Sequence, residues 1–163
     1  GSEFIVVLPG VRRPQPAPAL PAVERDGKVR PLTKRKKAGG QRSVLVVDDN
    51  KAAADGLKKL LEHSGHSTAV VYDGMSAIER MRIEEADAVL LDIGLPDIDG
   101  YAVARRLRKE HGYNPLVLIA VTGYGQDEDK AKARDAGFNH HLTKPVGIAD
   151  VEAVLAKPRP AKK

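Results

Sequence analysis

The chain predicts an α/β fold: five parallel strands between two layers of helices. Apolar runs rich in Val, Leu and Ile alternate strictly with amphipathic stretches from Ser43 onward. Four of those runs end in polar groups of matching chemistry: Asp48-Asp49, Asp92, Thr122 and Lys144-Pro145. Four such ends meet only if the strands are parallel and side by side in one sheet.

The elements follow in order. VLVV (44–47) is the first strand, and a helix runs from Asn50 to about His63. STAVVY (67–72) is the second, followed by a helix from Gly74 to about Glu84. AVLL (88–91) precedes a helix from Tyr101 to about His111, and LVLIAV (116–121) one from Asp127 to about Ala136. HHLT (140–143) is the last strand and Gly147 to about Ala156 the last helix. In the first helix Ala53, Leu57, Leu60 and Leu61 are expected on one face, with Lys51, Lys58, Lys59 and Glu62 outward. Asn50 is the expected N-cap and Gly65 the stop. The second strand alternates more than the first and third, as an edge strand does.

Composition narrows the class. At 163 residues there is room for one domain and some tail, and with aromatics at 4% the core must be aliphatic. Cysteine is absent, which excludes disulfides and thiolate zinc sites. No apolar stretch approaches the roughly 20 residues that span a bilayer, and the N-terminus lacks a signal-peptide pattern. A cytoplasmic protein without direct membrane contact is expected.

The net charge of +5 divides unevenly. Residues 1–42 carry ten Lys/Arg against three Asp/Glu, and residues 43–163 seventeen against nineteen. The leading segment also holds six of the eleven prolines and shows no apolar period, so 10–42 is expected to be a disordered basic linker. Its KRKK run lacks interleaved aromatics, which favours a solvated tether over a nucleic-acid patch. KPRPAKK (157–163) is a flexible tail.

The blocks VLVVDDN, LLDIGLPDIDGY, AVTGYG and HLTKPV resemble the signature blocks of the response-regulator receiver domain, in that family's order. The spacings also agree: 43 residues from Asp49 to Asp92, 30 more to Thr122 and 22 more to Lys144. The resemblance covers about residues 43–156. It implies a doubly wound, flavodoxin-like sheet of strand order 2-1-3-4-5. It also implies a bacterial two-component phosphorelay, with a histidine kinase or histidine phosphotransfer domain as partner; no nucleic acid partner and a monomer or weak dimer are expected.

The residue chemistry fits that implication. Asp92 closes a buried central strand, where ligands of open α/β sheets bind, and its carboxylate can attack phosphorus to give an acyl phosphate. As a helix cap it would lie too far ahead of Tyr101. Three carboxylates cannot all ionise cheaply without a cation, and Mg2+ suits an all-oxygen site that also meets phosphate. By resemblance Asp49, Asp92 and the backbone carbonyl of Gly94 bind the metal directly, and Asp48 partly through water. A capping role for Asp49 is compatible with this. Thr122 offers a hydroxyl and Lys144 an ammonium to phosphoryl oxygens, and Lys144 can pair with Asp92 beforehand. Pro145 permits the cis bond that the family uses to aim the lysine. Alignment and charge neutralisation suffice for phosphoryl transfer. GLPDIDGY (94–101) reads as a supporting turn, with Gly100 at a close backbone approach.

Two departures from the family pattern bear on signalling. His141 stands where Tyr or Phe is usual, three residues before Lys144. An imidazole can rotate as that ring does with Thr122, or charge near pH 6.5, which makes the switch weaker or pH-sensitive. His140 beside it reads as solvent-facing. The fourth helix offers only Ala131, Ala133 and Ala136 as apolar groups, so it is expected to be loosely held.

GSEFIVVLP (1–9) keeps two readings: a vector remnant, or the last strand of a kinase ATP-binding domain, which makes the chain the C-terminal receiver of a hybrid histidine kinase. No output domain follows Ala156 here, in keeping with a receiver that passes phosphate onward. The receiver itself is expected to show at most self-phosphorylation and autodephosphorylation. Alternatives are a haloacid-dehalogenase-like aspartyl-phosphate hydrolase, which needs a second Asp where this chain has Gly94, and a receiver that binds partners without phosphorylation.

Overall fold

The computed structural model describes residues 40–112, 116–123 and 127–158. The expected segment 1–9, most of the linker 10–42 and most of the tail 157–163 lie outside the described residues. The elements are β1 (Ser43–Val47), α1 (Lys51–His63), β2 (Ser67–Val71), α2 (Gly74–Ile83), β3 (Ala88–Asp92), α3 (Gly100–His111), β4 (Val117–Thr122), α4 (Asp127–Asp135), β5 (His140–Thr143) and α5 (Ile148–Leu155). All four strand pairings are parallel, in the order β2-β1-β3-β4-β5. The doubly wound sheet and its edge strand β2 are as expected, and the element ends agree within one residue.

Period-2 alternation divides the core in two. Leu45, Val47, Val89, Leu91, Leu118 and Ala120 face α2, α3 and α4, while Val44, Val46, Leu90, Ile119 and Val121 face α1 and α5. The central strands β3 and β4 are buried along their whole length, which explains their unbroken apolar runs. Asn50 caps α1 by accepting from the Ala53 N–H at 3.2 Å, and Gly65 leaves the helix at φ +91°.

The apolar face of α1 differs from expectation. Ala54 and Leu61 are buried and Leu57 is partly buried, but Ala53 is exposed and Leu60 is 49% exposed. The sheet-facing stripe is i, i+3, i+7 from Ala54; one position back is a rotation of about 100°. That rotation turns Ala53 and Leu60 into a cleft of about 640 Å³ shared with Pro145 and Val146.

Ala133 of α4 and Ala136 just past its end are buried, but Ala131 is not. The end of α4 is held instead by Phe138, whose ring meets Tyr101 edge-on at 6.3 Å.

At the amino-terminal edge of the sheet, buried Arg108 ties the α3–β4 and α4–β5 connections together. Its guanidinium donates to the carbonyls of Gly137 (2.7 Å), Gly112 (3.0 Å) and Leu116 (2.9 Å), and to Asn139 Oδ1. Asn139 Oδ1 also accepts the Leu118 N–H at 2.8 Å. A planar five-donor fork reaches acceptors spread along two connections from one position, a wider span than the three donors of a compact ammonium cover. Arg108→Ala is expected to lower stability by about 3 kcal/mol in urea unfolding, because buried acceptors lose their donor. Arg108→Lys should recover less than half of that loss; full recovery would mean that charge alone suffices.

Candidate functional site

The right-handed parallel winding places the carboxyl ends of β1, β3, β4 and the β5–α5 connection on one edge. β1 stops at Val47, so Asp48 and Asp49 lie in the turn before α1, freed from the strand's alternation. Carboxylate oxygens of Asp48, Asp49 and Asp92 all lie within 4.8 Å of one another. Asp48 and Asp92 are 8% and 5% exposed, whereas Asp49 is open to solvent.

Asp92 is the last residue of β3, in register with Val121, and Thr122 follows on β4 at 7% exposure. One carboxylate oxygen of Asp92 accepts the Gly94 N–H at 3.0 Å, and the other takes the Lys144 ammonium at 2.8 Å. Lys144 also reaches Asp48 at 3.0 Å, a contact absent from the sequence reading. Burial pulls the lysine's pKa down, but the bonds to Asp92 and Asp48 outweigh it and hold the ammonium above its ordinary range. The other Asp48 oxygen accepts the Asn50 N–H at 2.9 Å, so this side chain also shapes the turn into α1.

Lys144 is delivered by the strand behind it. Its backbone N–H donates to the Thr122 carbonyl at 2.8 Å, and the Lys144-Pro145 peptide is cis, as expected. Gly100 closes the loop beneath the acceptor. A Cβ there would lie 2.5 Å from the Asp92 carbonyl oxygen and 2.7 Å from the Ile93 Cα, so a side chain would push the loop away. Pro96 and Asp99 lie in this turn, with Asp99 capping α3 through the Tyr101 N–H.

Asp48, Asp49, Asp92 and Lys144 therefore converge, with Thr122 beside them and Gly94 bonded to Asp92. His141 stands apart. It is in register with Ala120, and so on the sheet face toward α4, and its Nε2 is buried without a hydrogen-bond partner among the described residues. His140, expected to be solvent-facing, is half-buried; burial and then Lys157 push its imidazole pKa down.

Sequence reasoning missed Asp73, and read Asp97 as a turn and cap residue of GLPDIDGY without its partners. The carboxylate of Asp97 accepts the Gly74 and Met75 N–H groups, each at 2.9 Å, and Asp73 caps the same helix through Ser76. Asp73 before an apolar periodic stretch was a visible signal. The partners of Asp97 were not legible, since they lie more than twenty residues away.

Three comparisons bear on this geometry. The family model of the response regulator receiver domain matches residues 44–156. The regulatory protein VanRc of Enterococcus gallinarum is 38% identical over 110 residues, covering 68% of this chain and 46% of the relative. The DNA-binding dual master transcriptional regulator RpaA of Synechocystis is 33% identical over 116 residues, covering 71% and 47%. The chain thus spans about half the length of these curated relatives. Among solved structures, the receiver domain of a sensor histidine kinase from Pseudomonas aeruginosa, with magnesium in its active-site cleft, is 29% identical with a TM-score of 0.64. It covers 71% of this chain and 94% of its own.

Three clustered carboxylates facing one ammonium are an electrostatic load on the metal-free protein. Asp49→Asn is expected to raise its melting temperature by about 2–4 °C, a gain that shrinks as salt screens the repulsion. A drop in melting temperature at low salt would show that Asp49 is held by bonds worth more than the repulsion.

Proposed function

The chain belongs to the response regulator receiver domain family, and on that premise we propose that Asp92 accepts a phosphoryl group from a phosphohistidine in a two-component relay. The observation that carries this reading is the buried Asp92 at the carboxyl end of a central strand, with the Lys144 ammonium 2.8 Å away and two further carboxylates beside it. An Asp92 carboxylate oxygen attacks phosphorus, the P–N bond to the donor imidazole breaks, and that imidazole leaves with its electron pair and takes up a proton. Lys144 is within reach of the anionic oxygens that move onto this site. Thr122 supplies a hydroxyl on the neighbouring strand end.

The donor set supports a hard divalent cation. Carboxylate oxygens from three residues converge, and Gly94 is bonded to Asp92 through its N–H, so oxygen donors dominate and suit Mg2+. Asp48, Asp49, Asp92 and Gly94 would hold it, and it would neutralise charge on the phosphoryl oxygens. The hydrolase alternative lacks its acid/base, because Gly94 occupies that position. Relatives of this chain include a DNA-binding regulator and a sensor kinase receiver. We assign this receiver to a hybrid kinase, with 10–42 as linker, on the pattern of residues 1–9.

Mg2+-dependent labelling with acetyl phosphate tests the acceptor. Wild type should gain one acid-labile, base-labile phosphoryl group, and Asp92→Asn or a chelator should abolish it. Labelling that survives Asp92→Asn would move the acceptor elsewhere.

For readout we assign the switch to Thr122 and His141, which share one sheet face two residues apart in register. An imidazole nitrogen with no bond among the described residues to anchor it makes a weaker lever than a phenol. With a fluoride mimic of phosphate bound, His141→Tyr should give larger amide shift changes on α4 than wild type. Equal changes would remove His141 from the switch.

A further inference from the structure

The β3–α3 loop leaves Asp92 and supplies Gly94, and it is anchored at several points. The Gly94 N–H donates to Asp92 at its near end, the Gly100 N–H donates to the Ile93 carbonyl at 3.1 Å at its far end, and Leu95 is buried in the core between them. Beyond Leu95 the loop is tied to a different part of the fold. Each oxygen of the Asp97 carboxylate accepts one of the first two N–H groups of α2. Those N–H groups have no partner within their own helix, and the helix dipole favours a carboxylate there. Burial pushes the Asp97 carboxyl upward, but the backbone N–H groups of Gly74, Met75 and Ile98 outweigh it and hold the group below its usual range.

Gly74 serves a separate contact. A Cβ at that position would lie 2.7 Å from the Val103 Cγ2, so glycine lets the start of α2 pack closely on α3, while the 3.5 Å to both Asp97 oxygens is ordinary contact. Local capping of α2 does not need Asp97, because Asp73 already takes the Ser76 N–H at 2.7 Å. The two carboxylates thus divide their work: Asp73 closes the helix, and Asp97 binds the loop to it.

We propose that Asp97 is a positioning residue for the phosphoacceptor site, fixing the loop that presents the Gly94 carbonyl by locking it to the start of α2. The inference rests on the reading of Asp48, Asp49, Asp92 and Gly94 as the Mg2+ site. Without the Asp97 contacts the loop between Leu95 and Asp99 is free to shift, and the cation pays more to order its carbonyl ligand.

Titration calorimetry with Mg2+ on the whole chain, combined with acetyl phosphate labelling, tests this. Asp97→Ala should weaken Mg2+ binding about 10-fold. Its labelling should be slow at low Mg2+ and recover to the wild-type rate at saturation, since only ligand positioning is lost. Asp97→Asn keeps one acceptor oxygen and should fall between the two. Asp73→Ala removes a cap from the same helix and should lower the melting temperature while leaving Mg2+ affinity unchanged. Wild-type affinity in Asp97→Ala, or an equal loss in Asp73→Ala, would overturn the proposal. Asp49→Asn separates the two readings. If it leaves Mg2+ binding intact, the metal assignment itself is wrong and the role of Asp97 falls with it.

Discussion

A single ammonium holds the functional edge of this domain together. Lys144 bridges Asp92 and Asp48, two buried carboxylates whose charges would otherwise face each other at short range. Buried charge is costly unless paired, so the positions of β1, β3 and the β5–α5 connection all have to satisfy this contact. The sheet order does so. β1 and β3 are neighbours, β4 carries the backbone bond that aims Lys144, and β5 ends one residue before it.

The pairing is partial by design of the residue set. Three carboxylates meet one lysine, and Asp49 stays exposed. Such an arrangement is worse for the resting fold than a neutral site and better for one that takes up a cation and then a phosphoryl group. The stability needed to carry it comes from elsewhere: two aliphatic layers on either face of the sheet, and Arg108 at the opposite edge satisfying several carbonyls at once. The domain is therefore stapled at the amino-terminal edge and left electrostatically unfinished at the carboxyl-terminal one.

Most of the fold was legible because its signals are local. Runs such as AVLL and LVLIAV are apolar throughout since β3 and β4 are covered on both faces, and Asn50 and Gly65 mark the ends of α1 by their own chemistry. The errors arose where a residue's environment is set by a distant element. Ala53 and Leu60 read as core, yet their side of α1 looks into the cleft beside Pro145 and Val146. Ala131 counted among the few apolar groups of α4, yet it is exposed, and Phe138 beyond the helix is buried in its place.

By itself the sequence determined the parallel α/β class, the five strand ends and the identity of the acidic and basic groups that gather there, because hydrophobic period and residue type are properties of short segments. Only the tertiary structure decided which of those groups touch. Lys144 meets Asp48 as well as Asp92, Asp97 serves a helix more than twenty residues upstream, and His141 lies under α4 with a nitrogen that has no partner among the described residues. Each of these depends on where separate segments come to rest against one another, and distances of a few ångströms between them are set by packing, not by spacing along the chain.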